Sequence, residues 1–395
     1  MLGSLGCSRQ ASGPLPQRVY IWQRAWTPAV SAAVKESALQ ASGIVVLAAH
    51  LDLKEGVFVA TEPNIDWKAL AGCGKPVALA IRISRYRGPF LSDDAVMRSI
   101  RSGVAATLAK AEAAGLSFQE IQLDFDCADS KLDGYRVWLR EFKKMVAPRR
   151  AVFTILPSWL SNKPGFAALC SEADGFVLQV HSVDFIESTQ SRKLCDTARA
   201  AKWVEAAGKF GVPFEVALPT YRSFVGFDPK GKFLGVVSEA TRQQWPPGTT
   251  VAAYYSDAPD IAKFVRGLVS KRPAGLRGLV WFRMPVSTDE NNWGWNTLSK
   301  VMAGEEPKPN LEIRLKGNNP VDISLLNSGD ADASIDGRYA VKIPASSVVF
   351  SEALPGWRLE KENGVLTASF SKDRDLRLTP GKSVPVGWVR LKGRE

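Results

Sequence analysis

The stretch IQLDFDCADS sets two carboxylates, Asp124 and Asp126, on alternate positions of an otherwise apolar run. A charged aspartate is costly to bury unless it is paired, hydrogen-bonded or used, so the pattern asks for a function. In an extended strand, side chains two positions apart share a face, with Cβ atoms roughly 6–7 Å from each other. At that range two carboxylates can split their pKa values and divide acid and base roles. Cleavage of a glycosidic bond uses such a division: an acid protonates the leaving oxygen while a second carboxylate acts from the other side. The bland alternative is that Asp124 pairs with a neighbouring arginine and only holds the structure together.

Such a pair works only if the chain around it builds a cleft. Between about residues 18 and 302, short β-type runs alternate with helix-type stretches. The strand candidates are RVYIWQRAW (18–26), GIVVLAAHL (43–51), PVALAIRIS (76–84), FQEIQLDFD (118–126), AVFTILPSW (151–159), GFVLQVHSV (175–183), FEVALPTYR (214–222) and GLVWFRMP (278–285). Each is rich in β-branched or aromatic residues and bounded by turn or polar residues. The segments between them carry apolar residues at helical spacing, as in 93–115 and 132–146, with Asp93 and Asp94 near a helix start where the dipole favours acids. Eight such alternations predict an α/β fold of the (β/α)8 TIM-barrel type over 18–303. An open doubly wound sheet would more often show a Gly-rich phosphate turn after an early strand, and none is present. Past a linker at 304–310 the helical period disappears. Short strands split by Asn, Gly, Asp and Pro predict a small β-sandwich-like domain over 311–395. Residues 1–17 read as a loose tail.

In a TIM barrel the chemistry lies at the C-terminal strand ends, and residues alternate between the interior and the helix layer. On the fourth strand Ile121, Leu123 and Phe125 suit the helix side, so Gln122, Asp124 and Asp126 point inward, Asp126 at the rim. The other ends supply candidate substrate contacts: Trp22 and Arg24, His50, Arg82, Trp159, Gln179 and His181, Tyr221, and finally Trp281, Arg283 and Trp293. Flat amphipathic rings offer a surface to the CH-rich faces of sugars, while Arg, Gln and Asp bond hydroxyls. For any single tryptophan, packing under the loops is the competing reading. The expected acid is Asp126, tuned by Asp124, with the opposing carboxylate sought among Asp184, Glu215, Glu239 and Asp289. Glu239 lies in the long insertion GFDPKGKFLGVVSEATRQQW after strand seven, a candidate lid.

The bulk numbers bound the partners. With 51 basic against 40 acidic side chains the net charge is +11, which favours anionic neighbours such as acidic polysaccharide or a membrane surface. The basic residues are scattered, with no run of five, so nucleic acid is not an expected partner. No segment approaches the ~20 apolar residues of a membrane span. The five cysteines show no CxxC or metal-type spacing. Cys73, Cys127, Cys170 and Cys195 read as free buried thiols, with a Cys73–Cys127 or Cys170–Cys195 bridge as the alternative. LGSLGC resembles the tail of a bacterial lipoprotein signal, in which the cysteine receives the lipid. That resemblance implies a membrane tether through Cys7 and a cell-envelope or periplasmic location. The competing reading is a cysteine in a loose tail, which leaves the cytoplasm open. No cofactor and no metal site is expected.

Taken together, WQRAW, IQLDFDCADSKL, QVHSVDF, LPTYR and WFRMPVSTDENNWGW resemble a bacterial family of unknown function, domain of unknown function 3142, with a glycosidase-like barrel. The resemblance covers roughly residues 18–303. More distantly, LDFDCAD is similar to the strand-four DxDxE of chitinase-type hydrolases. Asp124 and Asp126 match its two aspartates, while Ala128 stands where the general-acid Glu falls and Asp129 is one step off the alternation. The leading expectation is a glycoside hydrolase-like protein acting on a cell-envelope or extracellular polysaccharide or oligosaccharide. A non-catalytic carbohydrate-binding barrel is the second reading. A metal-dependent hydrolase using His50, His181, Asp124 and Asp126 is the third.

Overall fold

The computed structural model describes residues 13–181, 192–238, 244–335, 337–370 and 376–393. The chain divides into two compact units between Asn292 and Trp293. The first unit is a closed barrel of eight parallel strands: β1 (Gln17–Ile21), β2 (Gly43–Lys54), β3 (Val77–Ile83), β4 (Phe118–Phe125), β5 (Arg150–Ile155), β6 (Gly175–Gln179), β7 (Phe214–Pro219) and β8 (Leu276–Phe282). Pairing of β8 with β1 closes the ring. Each predicted run overlaps a strand, some, such as those at 18–26, 151–159, 175–183 and 214–222, extending past the strand's end, and the TIM-type barrel is the fold.

Between the strands run α1 (Pro28–Gln40), α2 (Trp67–Ala71), α3 (Ala95–Ala113), α4 (Leu132–Val146), α5 (Lys163–Cys170), α6 (Thr197–Gly208) and α7 (Ala258–Ser270). Their starts follow from local chemistry. The carboxylates of Asp66, Asp94, Asp196 and Asp257 accept backbone N–H groups in the first turns of α2, α3, α6 and α7, each such cap contributing about 1 kcal/mol. On α4, Tyr135, Trp138, Leu139, Phe142 and Val146 fall on one buried stripe, the spacing that lets a helix cover a barrel.

Inside the barrel side chains alternate, with a bulge between Leu47 and Ala49 that resets the parity of β2 before His50. Tyr20, Val45, Leu47, Ala78, Ala80, Val152, Val177, Ala217 and Val280 form a buried interior cluster, capped toward the mouth by Trp22 and Phe282. From β4 the interior receives Gln122 and Asp124, both buried. Below them, at the N-terminal ends of the strands, Arg18 bonds Glu120 at 2.9 Å and also pairs with Glu215, while Arg150 reaches Glu120 at 3.0 Å. Burial alone would lower the Arg18 pKa, but the two glutamates raise it and hold the guanidinium charged.

The barrel carries two additions. The hairpin strand Val57–Thr61 pairs antiparallel with the end of β2. After β7, the strands Arg222–Phe227, Phe233–Val237 and Thr250–Tyr255 form a three-stranded antiparallel sheet, where the sequence pattern gave only a lid-like insertion. The Trp245 ring lies across Gly226, where a Cβ would meet it at 2.4 Å; only glycine admits that contact.

The second unit begins with α8 (Trp295–Met302), a helix the sequence pattern had grouped with the barrel. A four-stranded antiparallel sheet (Leu311–Lys316, Val321–Asn327, Ser383–Leu391, Val348–Ala353) and a three-stranded one (Arg338–Pro344, Val365–Phe370, Trp357–Glu362) enclose a core of Ile323, Leu325, Val341, Leu366, Val386 and Val389. Inside that unit Asp332 is buried beside Arg377 and accepts from Gly294 N at 2.9 Å and Thr297 Oγ1 at 3.1 Å at the start of α8. Cys73, Cys127, Cys170 and Cys195 are free thiols; Cys7 lies outside the described residues.

Candidate active site

The inward face of β4 ends in the two aspartates, but they meet different surroundings. Asp124 is buried, accepting from Arg82 Nη1 at 2.5 Å and Thr154 Oγ1 at 2.7 Å. Asp126 is 42% exposed and accepts from Arg82 Nη2 at 3.0 Å. One guanidinium therefore spans both carboxylates. The arginine clamp on Asp124 is the alternative set against catalysis above, and it is present; the opening to solvent belongs to Asp126. Burial, then the negative charge of Asp124, push the Asp126 pKa up, with Arg82 acting in the opposite direction. The effect on Arg82 is reciprocal: Asp124 and Asp126 raise its pKa against the pull of burial.

Register places His50, Arg82 and Asp124 side by side across β2, β3 and β4. His50 Nε2 lies 3.4 Å from Asp52 Oδ1. Burial lowers the His50 pKa, Asp52 works against that, and Arg24 and Arg82 add to it. Arg24 is exposed at the rim.

Across the mouth the wall is aromatic. His181, two residues past Gln179 on the same inward face, stacks on Phe282 at 5.4 Å and places Nδ1 3.3 Å from the Tyr221 hydroxyl. Burial takes its pKa down to about 4, so the imidazole is neutral. Trp22 meets Phe282 edge-on at 5.3 Å and Tyr20 at 5.4 Å. Among the described residues Gln179 Nε2 and His181 Nε2 have no hydrogen-bond partner. Tyr221, Val225 and Tyr254 pack with Phe282, which fixes the three-stranded insertion over this wall.

Several expected residues are elsewhere. Glu215 points inward but is the second residue of β7, so it lies at the base of the barrel with Arg18 and cannot face Asp126. Asp289 is tied to Arg283, whose Nε and Nη2 donate to Oδ2 at 2.9 and 2.5 Å. Arg283 is itself buried and bolts β8 to the insertion through the Ser238 carbonyl; it is a fastener, not a substrate contact. Trp281 points into the helix layer, because Val280 and Phe282 take the inward positions, and its indole donates to Gln17. Trp159 is fully buried in the turn after β5, donating to the Cys127 carbonyl at 3.0 Å. Trp293 is a buried residue of the second unit. Asp184 and Glu239 lie outside the described residues. Asp129 is held by Ser158 at 2.8 Å. Sequence reasoning missed Thr154 and Phe282, although the same alternation that placed Asp124 puts both inside.

The metal ligand set of His50, His181, Asp124 and Asp126 is not assembled: His181 faces Tyr221, and both aspartates face Arg82. Among the described residues no group of three or more His, Cys, Asp and Glu side chains converges on a metal position.

Fold and mouth together define a glycosidase-like (β/α)8 barrel. The chain belongs to the family described as Domain of unknown function (DUF3142), which matches residues 73–287, more than half its length. No curated protein matches the sequence significantly. Among solved structures, the spore cortex-lytic enzyme SleL of Bacillus cereus is similar at 13% identity, with 74% of this chain and 75% of that chain covered and a TM-score of 0.51. A chitinase from Chromobacterium violaceum is similar at 13% identity, with 73% and 98% covered and a TM-score of 0.51. SleL of Bacillus megaterium follows at 11% identity, with 75% of each chain covered and a TM-score of 0.50. At these identities the likeness is one of fold.

Proposed function

We propose that this protein is a glycoside hydrolase acting on a cell-envelope or extracellular polysaccharide, with Asp126 as the acid that protonates the leaving oxygen. The observation that carries the reading is the division between the two aspartates. Asp124 is buried and bonded by Arg82 and Thr154, whereas Asp126 is open to solvent with a raised pKa. A carboxyl whose pKa is raised by burial and by a neighbouring aspartate is better suited to general-acid work than an unperturbed one. The neutral His181, Gln179 and the Trp22–Phe282 wall supply polar and aromatic contacts for a sugar ring. The chitinase and the cortex-lytic enzymes share this fold, which supports a carbohydrate substrate. The opposing group is sought at Asp184 and Glu239. A cell-envelope or periplasmic location, with a lipid tether at Cys7, belongs to the same reading.

The second reading is a barrel that binds glycan without cutting it. Ala128 at the position of the chitinase-type acid favours it, as does the engagement of Glu215 and Asp289 away from Asp126. One experiment separates the two: release of reducing ends from a panel of neutral and acidic polysaccharides by the wild type and Asp126→Asn. Loss of about 100-fold or more in the variant supports catalysis by Asp126. Equal rates remove the assignment, and binding without cleavage by the wild type selects the second reading.

A further inference from the structure

A cleft of about 860 Å³ opens between the start of α1 and the segment that leads into α2. It lies at the mouth end of the barrel, because α1 begins on the loop that leaves β1 there. Trp26 lines it, four residues along that loop from Trp22, together with Ser31, Lys35, Asn64, Asp66 and Lys68. Nothing in the mouth chemistry uses these residues.

Three observations define what the cleft would hold. Trp26 is half-buried, so its ring presents a partly open face, while its enclosed indole N–H has no hydrogen-bond partner among the described residues. Lys35 and Lys68 are exposed, and neither makes an ion pair among the described residues. Asp66 caps α2 through Ala69 N at 2.9 Å, bonds Ser31 and feels the charge of both lysines, so two ammonium groups face a single carboxylate and the lining keeps one positive charge in excess. An aromatic face beside a net positive lining is complementary to a flat ring that carries a negative charge.

We propose that this cleft is an accessory subsite for an acidic sugar, a uronic acid or another carboxylate-bearing hexose, in a chain whose neighbouring units occupy the barrel mouth. The second half of that statement rests on the carbohydrate reading of the mouth; the first half does not.

The test is calorimetric binding of a uronic-acid hexasaccharide and a neutral hexasaccharide of equal length. The acidic ligand is expected to bind the wild type at least about tenfold more tightly than the neutral one. Trp26→Ala should weaken acidic binding by about tenfold, and Lys35→Ala with Lys68→Ala should weaken it by about fivefold and flatten its salt dependence. Ala32→Trp, an exposed position on the lining, fills the cleft without touching the core and should block binding as well. Equal affinity for the two ligands, no acidic binding by the wild type, or acidic binding unchanged by both Trp26→Ala and Ala32→Trp overturns the proposal. Binding is measured in Asp126→Asn as well. Trp26-dependent binding in a protein that cleaves no glycan removes the hydrolase reading and leaves the subsite standing. Cleavage with binding indifferent to Trp26 does the reverse.

Discussion

Replacing Arg82 with methionine takes away the guanidinium that both mouth carboxylates share while keeping most of the side-chain volume. Asp124 would then be left 3% exposed, with the Thr154 hydroxyl still donating to it. Breaking a fully buried pair by removing one member costs about 3–5 kcal/mol, because the other charge stays desolvated. Here the Arg82 side chain is 31% exposed, so water can enter from the rim, and the expected loss falls to about 2 kcal/mol. Urea unfolding followed on the barrel transition reads this as a lowered midpoint with an unchanged slope. The internal control is Asp124→Asn in the same background, which removes the stranded charge and should recover at least half of the loss. Arg82→Met costing under about 0.5 kcal/mol, or a double variant no more stable than the single one, would refute the claim that Asp124 is held by charge pairing.

Glycan cleavage should fall as pH rises through the raised Asp126 pKa, since the acid acts only while protonated, and a pH–rate profile checks this. His181 titrates at about 4 when folded against an ordinary value of 6.5. The unfolded chain therefore takes up the extra proton, and stability drops as pH falls from about 6.5 toward 4; His181→Phe should flatten that part of a melting-temperature profile. Glu215→Gln should lower stability by about 1–3 kcal/mol while leaving glycan binding unchanged below the unfolding transition, as expected of a residue at the base. Burial pushes Cys127, Cys170 and Cys195 up to about 12, so a thiol reagent at pH 8 should leave all three unlabelled until denaturant is added.

The barrel was legible in the sequence because each strand announces itself by β-branched runs, and alternation settles which residues face inward. That logic placed Gln122 and Asp124 correctly. It failed where a second variable entered. Glu215 has the right parity but stands at the start of its strand, and distance along the strand, not parity, decides base or mouth. Trp281 is close to the strand end, which suggests the mouth, but its neighbours Val280 and Phe282 claim the interior positions. Trp159 left the strand direction altogether in the turn Pro157–Ser161, where packing controls orientation. The hairpin strand Val57–Thr61 and the insertion sheet are not legible as strands because they are short and partly exposed, with little apolar contrast. Arg283 with Asp289 looked like site chemistry, since polar fasteners and polar catalysts use the same residue types.

Strand β4 runs polar from end to end on its inner side, from Glu120 through Gln122, which donates to Glu120 at 2.9 Å and accepts from Tyr20 at 2.5 Å, to Asp124 and Asp126. Sliding that segment by a single residue would drive four hydrophilic groups into the oily layer beneath the helices and leave Ile121, Leu123 and Phe125 facing arginines. Neighbouring staves of the barrel are mostly aliphatic and would tolerate such a slip far better. The aspartate-bearing segment is thus the pin that fixes the shear of the whole ring, and exchanging it for an apolar one would loosen the alignment of every strand around it.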